Sequence, residues 1–251
     1  MLPLLQLRRD DRMLMSENRP RALGVLRTAR GAHPFSPSEA PPMIRAILAA
    51  SAGVQVLLWF TTWRFLRRAQ RGGANEVIAS TAVPRLGLAL SFLGYAGWFL
   101  GSLGYAANPT WPLFQALSRN LFFPRVGSGL LVGGHGLVIW ATLSLGSSFD
   151  LRPRLIVGHR LIRHGPYRSV RHPLYTGLQA LYVGTFLLVP CALFLLSAIA
   201  AMIGNALRAQ AEERVLLARY GEAYRAYARS VGRFLPKVDL CSRRRGRPPH
   251  E

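Results

Sequence analysis

Acidic residues are scarce in this sequence, cysteine is rare and lysine is all but absent. Its 251 residues hold 11 Asp and Glu against 32 Lys and Arg, of which only Lys237 is lysine, and two cysteines. Cys191 lies in an apolar run and Cys241 in a basic tail, so neither has a metal-ligand spacing or an evident disulfide partner. More telling is where charge is missing. Residues 46–63, 86–118, 126–149 and 173–207 contain no Asp, Glu, Lys or Arg. Uncharged stretches of that length exclude a soluble enzyme and read as membrane helices. With half its residues apolar, the chain is too hydrophobic for disorder and large enough for one substantial domain. The formal charge of +21 therefore sits in the loops and the tail. Anionic lipid headgroups attract such residues by about 1 kcal/mol each, and adhesion to the membrane accounts for the charge without a nucleic-acid partner.

Residues 1–42 are polar and Arg-rich and lack a continuous apolar h-region, so they do not form a signal peptide. They read as a disordered extension or a misplaced start, and Met43, which opens directly into the first apolar run, is a plausible initiator. Residues 44–63, 86–106 and 127–147 are each about the 20 residues needed to cross a bilayer. The fourth run, 173–207, would make a helix of roughly 50 Å, too long for a hydrocarbon core about 30 Å thick. Pro190 at its middle breaks it into two arms of a hairpin, 173–189 and 191–207. The expected architecture is thus all-α and polytopic. It has about five transmembrane helices, including this C-terminal hairpin, followed by a cytoplasmic amphipathic helix. By domain, 43–126 supplies the N-terminal spans, 127–236 the core and 237–251 a basic tail. Loop 148–172 and the chain after 207 share a face and are both basic, which places them in the cytoplasm. Residues 1–42 then fall outside with seven arginines, a conflict that a start at Met43 removes.

Two segments carry residues that burial does not call for. The first runs Leu161-Ile162-Arg163-His164-Gly165-Pro166-Tyr167, then Arg171-His172-Pro173-Leu174-Tyr175. Pro173 suits the first turn of a helix, which puts Arg171 and His172 at an anion-attracting N-terminus. A plainer reading is an interfacial basic loop with an aromatic anchor. The second segment follows the hairpin. Positions 208, 212, 216, 220, 224, 227 and 231 step by threes and fours, so Arg208 and Glu212 share a stripe with Leu216 and the tyrosines. Between Glu76 and Glu212 the only acid is Asp150, and an ionisable pair at the end of a spanning hairpin is a functional hypothesis by default. The alternative is a helix-end pair reaching headgroups. A hairpin would bring His172–Tyr175 and Arg208–Glu212 together at its open end. One side is basic and aromatic and the other holds a carboxylate and a guanidinium, which suits a zwitterionic, methionine-derived cofactor.

These motifs, with the terminal Tyr220-Gly221-x-x-Tyr224, the pair Glu212-Glu213 and Leu145-Gly-Ser-Ser-Phe149, resemble the signature of the isoprenylcysteine carboxyl methyltransferases and their phospholipid-methyltransferase relatives. The resemblance covers roughly residues 127–236. It implies an integral-membrane methyltransferase using S-adenosylmethionine from the cytosol and a lipidic or prenylated acceptor from the bilayer. It also implies that His159, Arg160, Leu161, Ile162, Tyr167, Arg171, His172, Pro173, Leu174, Tyr175 and Glu212 hold the cofactor, and that Arg208 clamps the acceptor's carboxylate. No dedicated base for an amine acceptor stands out, which favours carboxyl O-methylation. Two other classes compete. A sterol-reductase-like enzyme shares an Arg-His-Pro-x-Tyr element and binds a reduced nicotinamide, but usually carries an acid after the tyrosine where this chain has Thr176-Gly177. A non-catalytic adaptor held to lipid by its arginines is the third. His135, inside the third span, is expected to hydrogen-bond a neighbouring helix rather than to catalyse.

Overall fold

A computed structural model describes residues 41–71, 77–80, 83–118, 120, 122–146, 154–156 and 161–237, all within the unit Pro37–Glu251. The expectations for an N-terminal extension and a basic tail concern residues that, apart from 41, 42 and 237, lie outside this set.

The described chain is helical: α1 (Pro42–Arg71), α2 (Arg85–Ala107), α3 (Pro124–Leu145), α4 (Pro173–Leu188), α5 (Ala192–Tyr220) and α6 (Glu222–Ser230). One short antiparallel ribbon is added to it, in which β1 (Val77–Ser80) pairs with β2 (Arg154–Ile156) through Ser80 opposite Arg154 and Ala79 opposite Leu155. Among the described residues four helices are long and apolar enough to cross a membrane: Pro42–Arg64 within α1, α2, α3 and α5. α4 has 16 residues and spans only about 24 Å at 1.5 Å per residue. The five expected spans thus resolve into four helices of bilayer length and one short arm. With its long apolar helices and outward-facing Phe92, Leu100, Val132, Leu143 and Leu196, the protein is an integral membrane protein.

The hairpin forms where Pro190 requires it. Val189 takes an extended conformation (φ −138°, ψ 86°), as a residue before proline prefers. The turn is pinned from outside: Leu117 N–H donates to Pro190 O at 2.8 Å and Phe123 N–H to Leu187 O at 2.9 Å. α4 packs on α3 and α5 on α2, both antiparallel, and small residues set the distance. A Cβ added at Gly134 would lie 2.8 Å from Gly177 O, and one at Gly127 would lie 2.7 Å from Gly184 O. On the other pair, a Cβ at Gly94 would meet Ala201 N at 2.5 Å. Such contacts let backbones approach where lipid supplies no hydrophobic drive for association. Trp98, Phe194, Leu181 and Leu188 fill the centre, and Trp98 Nε1–H donates to Thr185 Oγ1 at 2.8 Å, joining α2 to α4. Arg45 ties α1 to the end of α2, its Nε and Nη2 donating to Ala106 O at 3.0 and 2.9 Å.

The helix expected after the hairpin is continuous with the hairpin's second arm. From Leu207 to Tyr220 the chain is rich in Ala, Leu, Arg, Gln and Glu, good helix formers with no interruption. The break comes at Gly221, whose φ of 50° with ψ of −123° lies in a region open essentially to glycine. α6 then turns away, so the stripe read from 208 to 231 is divided between two helices. His135 also departs from expectation. Its Nδ1 lies 2.9 Å from Leu131 O of its own helix, and Nε2 has no partner among the described residues.

Candidate active site

The start of α4 and the part of α5 beyond Leu207 meet at the open end of the hairpin. Pro173 occupies the first position of α4, where an N–H would have no intrahelical partner, and His172 stands just before it. The His172 imidazole lies between two carboxylates, with Nδ1 3.4 Å from Glu212 Oε2 and Nε2 3.2 Å from Glu213 Oε1. Tyr175, one turn into α4, donates its hydroxyl to Glu212 Oε1. The Arg208 guanidinium stands over the Tyr175 ring, 5.6 Å from its centroid. His172 and Tyr175 stack, with centroids 5.8 Å apart.

Glu213, a quarter turn from Glu212, gathers a second set of donors. Arg171 Nε donates to Glu213 Oε1 at 3.0 Å, Arg233 Nε to the same oxygen at 3.1 Å, and Arg233 Nη2 to Oε2 at 2.5 Å. Arg171 also donates through Nη1 to Val231 O and Ala228 O, at 2.6 and 2.9 Å. The backbone completes the join: Arg171 N–H donates to Gly232 O at 2.8 Å and His172 N–H to Arg233 O at 3.0 Å. Residues 231–235 thereby form a strap across the α4 N-terminus, secured by Thr176 Oγ1–H to Phe234 O at 2.9 Å.

Protonation follows from these contacts. Burial alone would raise the Glu213 carboxyl, but hydrogen bonds from His172 and Arg233 and the charges of His172 and Arg171 bring it down to about 2. Burial would lower His172, and the two carboxylates outweigh it, so its pKa is raised. Burial, then the Glu212 charge, pushes the Tyr167 hydroxyl well above the usual phenol range. Glu213 is therefore a fixed anion and His172 a favoured cation. Glu212 keeps 30% of its side chain exposed against 14% for Glu213, so of the two it has the face open to a ligand.

The residues singled out in the sequence divide accordingly. Tyr167, Arg171, His172, Pro173, Tyr175, Arg208 and Glu212 converge on this end of the hairpin, Tyr167 through its interaction with Glu212. Leu161 packs under α6 with Tyr224, Tyr227 and Val231. Ile162 and Leu174 are half-buried on the flanks. His159 and Arg160 lie outside the described residues. Two positions were given no role by the sequence reading, although Tyr227 lay on its stripe. Arg233 reaches Glu213 from beyond a helix break, and Tyr227 donates its hydroxyl to Tyr167 O at 2.6 Å, holding the 3₁₀ turn Gly165–Arg168. A cleft of about 410 Å³, lined by Gln210, Glu213, Arg214, Leu217, Tyr224 and Arg233, opens on the Glu213 flank. At 100° per residue Gln210, Arg214 and Leu217 lie roughly half a turn from Glu212, and Glu213 lies a quarter turn from it, so the cleft opens mainly on the other side of α5. Among the described residues no His, Cys, Asp and Glu group is able to hold a metal ion.

Four membrane-length helices among the described residues and a charged, aromatic cluster at the open end of the hairpin define an integral membrane protein with ionisable groups gathered at one end of its helices. The family model for phospholipid methyltransferase matches residues 123–223. Protein-S-isoprenylcysteine O-methyltransferase B of Arabidopsis thaliana is 26% identical over 187 residues, 73% of this chain and 90% of the relative. A probable protein-S-isoprenylcysteine O-methyltransferase of Oryza sativa subsp. indica is 30% identical over 131 residues, 51% of this chain and 68% of the relative. Methanethiol S-methyltransferase of Pseudomonas deceptionensis is 34% identical over 130 residues, covering 45% of this chain and 48% of the relative. The chain belongs to the family of phospholipid and isoprenylcysteine carboxyl methyltransferases, and it is a methyltransferase rather than a nicotinamide reductase or an adaptor.

Proposed function

We propose that this enzyme transfers the methyl group of S-adenosylmethionine to the carboxylate of a lipidic or prenylated acceptor, at a site facing the cytoplasm. The observation that carries the reading is the placement of Arg208 and Glu212 one turn apart on α5, both against Tyr175. In this reading residues 127–236 form the catalytic core and 43–126 the N-terminal membrane helices, with α4 as a short fifth span.

The side chains fit such a donor. Glu212 holds an exposed carboxylate fixed on one side by Tyr175 and His172, and can take an ammonium on the other. Tyr167, Arg171, His172, Pro173, Leu174 and Tyr175 form the opposite wall, and the family resemblance assigns His159, Arg160, Leu161 and Ile162 to the same donor. S-adenosylmethionine supplies an electrophilic methyl on a sulfonium. Arg208 binds one acceptor oxygen and aims the other; its place over the Tyr175 ring helps hold the planar guanidinium, whose shape lysine lacks. Opposite charges neutralise as the methyl passes, so a dry, aligned site supplies most of the rate and a carboxylate acceptor calls for no general base.

The test is incubation of membranes containing the protein with radiolabelled S-adenosylmethionine. Label should enter a lipid-soluble or protein fraction and be released by mild alkali as a methyl ester is. Alkali-stable label would instead point to a sulfur or nitrogen acceptor, and the thiol named for the Pseudomonas relative makes sulfur the first to examine.

A further inference from the structure

Glu213 takes no part in the donor site as proposed, yet it has the densest set of charged contacts at this end of the molecule. Its Oε1 accepts from Arg171 Nε, Arg233 Nε and His172 Nε2, at 3.0, 3.1 and 3.2 Å, and its Oε2 from Arg233 Nη2. One carboxylate does not need so many donors in order to be buried. What the arrangement accomplishes is visible at His172, whose other nitrogen faces Glu212 Oε2. An imidazole with a carboxylate at each nitrogen can satisfy both only as the doubly protonated cation, because the neutral ring has a single N–H.

The groups around His172 decide its charge. From α5 come Glu212 and Glu213, from the strap Arg233 beside the Phe234 ring, and from the preceding loop Arg171. From α4 itself comes Tyr175, with Arg208 over its ring. Arg171 and Arg233 oppose a third cation here, and Glu213 is the anion paired with both, offsetting part of their charge. Glu212 alone would then face a ring surrounded by two guanidinium groups.

We propose that Glu213 is a positioning residue: it holds His172 as an imidazolium, and His172 in turn fixes the Glu212 carboxylate in the orientation that receives the donor. The idea rests on the donor site proposed above for its second half, while its first half stands on the contacts alone. Glu213→Gln keeps the size and one acceptor oxygen but removes the charge. Burial then works against the imidazolium with Glu212 alone in support, and His172 releases its proton at lower pH.

The sign follows. A histidine whose folded pKa is raised stabilises the fold below its unfolded value, near 6.5, and loses that contribution as pH rises through the folded value. The full-length protein in detergent, free of donor, should melt highest near pH 6 and lose stability as pH rises above about 6.5. In Glu213→Gln that contribution is largely absent, so its melting temperature should change less with pH, and the gap between the two should be widest near pH 6 and narrow toward pH 8. Glu213→Asp, which keeps the charge, should restore the parent's profile in part. In the second arm, S-adenosylmethionine affinity should vary little for the parent over that range and fall about tenfold for Glu213→Gln, the loss expected per pH unit once the proton is gone. A melting temperature lowered equally at every pH, or not at all, would overturn the proposal by reducing Glu213 to a structural ion pair. Absence of donor binding by the parent would refute the donor site, and the melting profiles would still decide whether Glu213 sets the charge of His172.

Discussion

Arg208 and Glu212 occupy neighbouring turns of one helix face and meet the same tyrosine, yet they are asked to do different things. In the proposed function Glu212 is the ligand for a cation and Arg208 for an anion. Arg208→Ala should leave S-adenosylmethionine binding unchanged and abolish turnover, measured as label transferred in membranes. Arg208→Lys should recover only a small part, since a flexible ammonium cannot hold the acceptor oxygen in the orientation that a planar guanidinium over Tyr175 does. Turnover by Arg208→Ala at the parent's rate would remove the clamp. Most of these residues were legible in the sequence, because the 208–212–216 spacing and the Pro173 helix start are local signals. Glu213 was visible as half of a doublet, but its role was not. That role is set by Arg233, 20 residues away across the Gly221 break, and nothing in one sequence tells which way a chain turns after such a glycine.

At the scale of elements, the hairpin could be read from a proline in the middle of 35 uncharged residues, and it forms at Leu188–Cys191. The length of its second arm could not. Charge marks where a helix leaves the membrane but does not end it, and α5 runs on for 13 residues beyond Leu207. Pairing partners were also hidden, because glycines at 127, 134, 177 and 184 show close approach only when both helices are in place. Gly134→Leu should lower stability by about 1–3 kcal/mol or more, the cost of overpacking, since its Cβ would meet Gly177 O. Gly129→Leu, whose Cβ would meet nothing within 4 Å, should be tolerated. Thermal unfolding in detergent compares them, and equal losses would mean that α3 and α4 do not pack through this seam. Gly221→Ala should cost about 1–3 kcal/mol through backbone strain alone, since its surroundings are open, read by the same thermal unfolding.

For the whole molecule, the distribution of charge predicts that the site opens to the cytoplasm and that a chain beginning at Met43 inserts and methylates as the longer one does. Loss of insertion or of activity in that shorter chain would give residues 1–42 a role. Everything proposed about donor, acceptor and orientation depends on the α4 N-terminus and the far part of α5 forming one cofactor site with Glu212 as its anion. Calorimetric titration of S-adenosylmethionine into the purified full-length protein and into Glu212→Gln tests that most directly. The account predicts saturable binding to the parent and binding weaker by about 2–5 kcal/mol to the variant, as when one partner of a desolvated charge pair is lost. Equal affinity for the two proteins would contradict it.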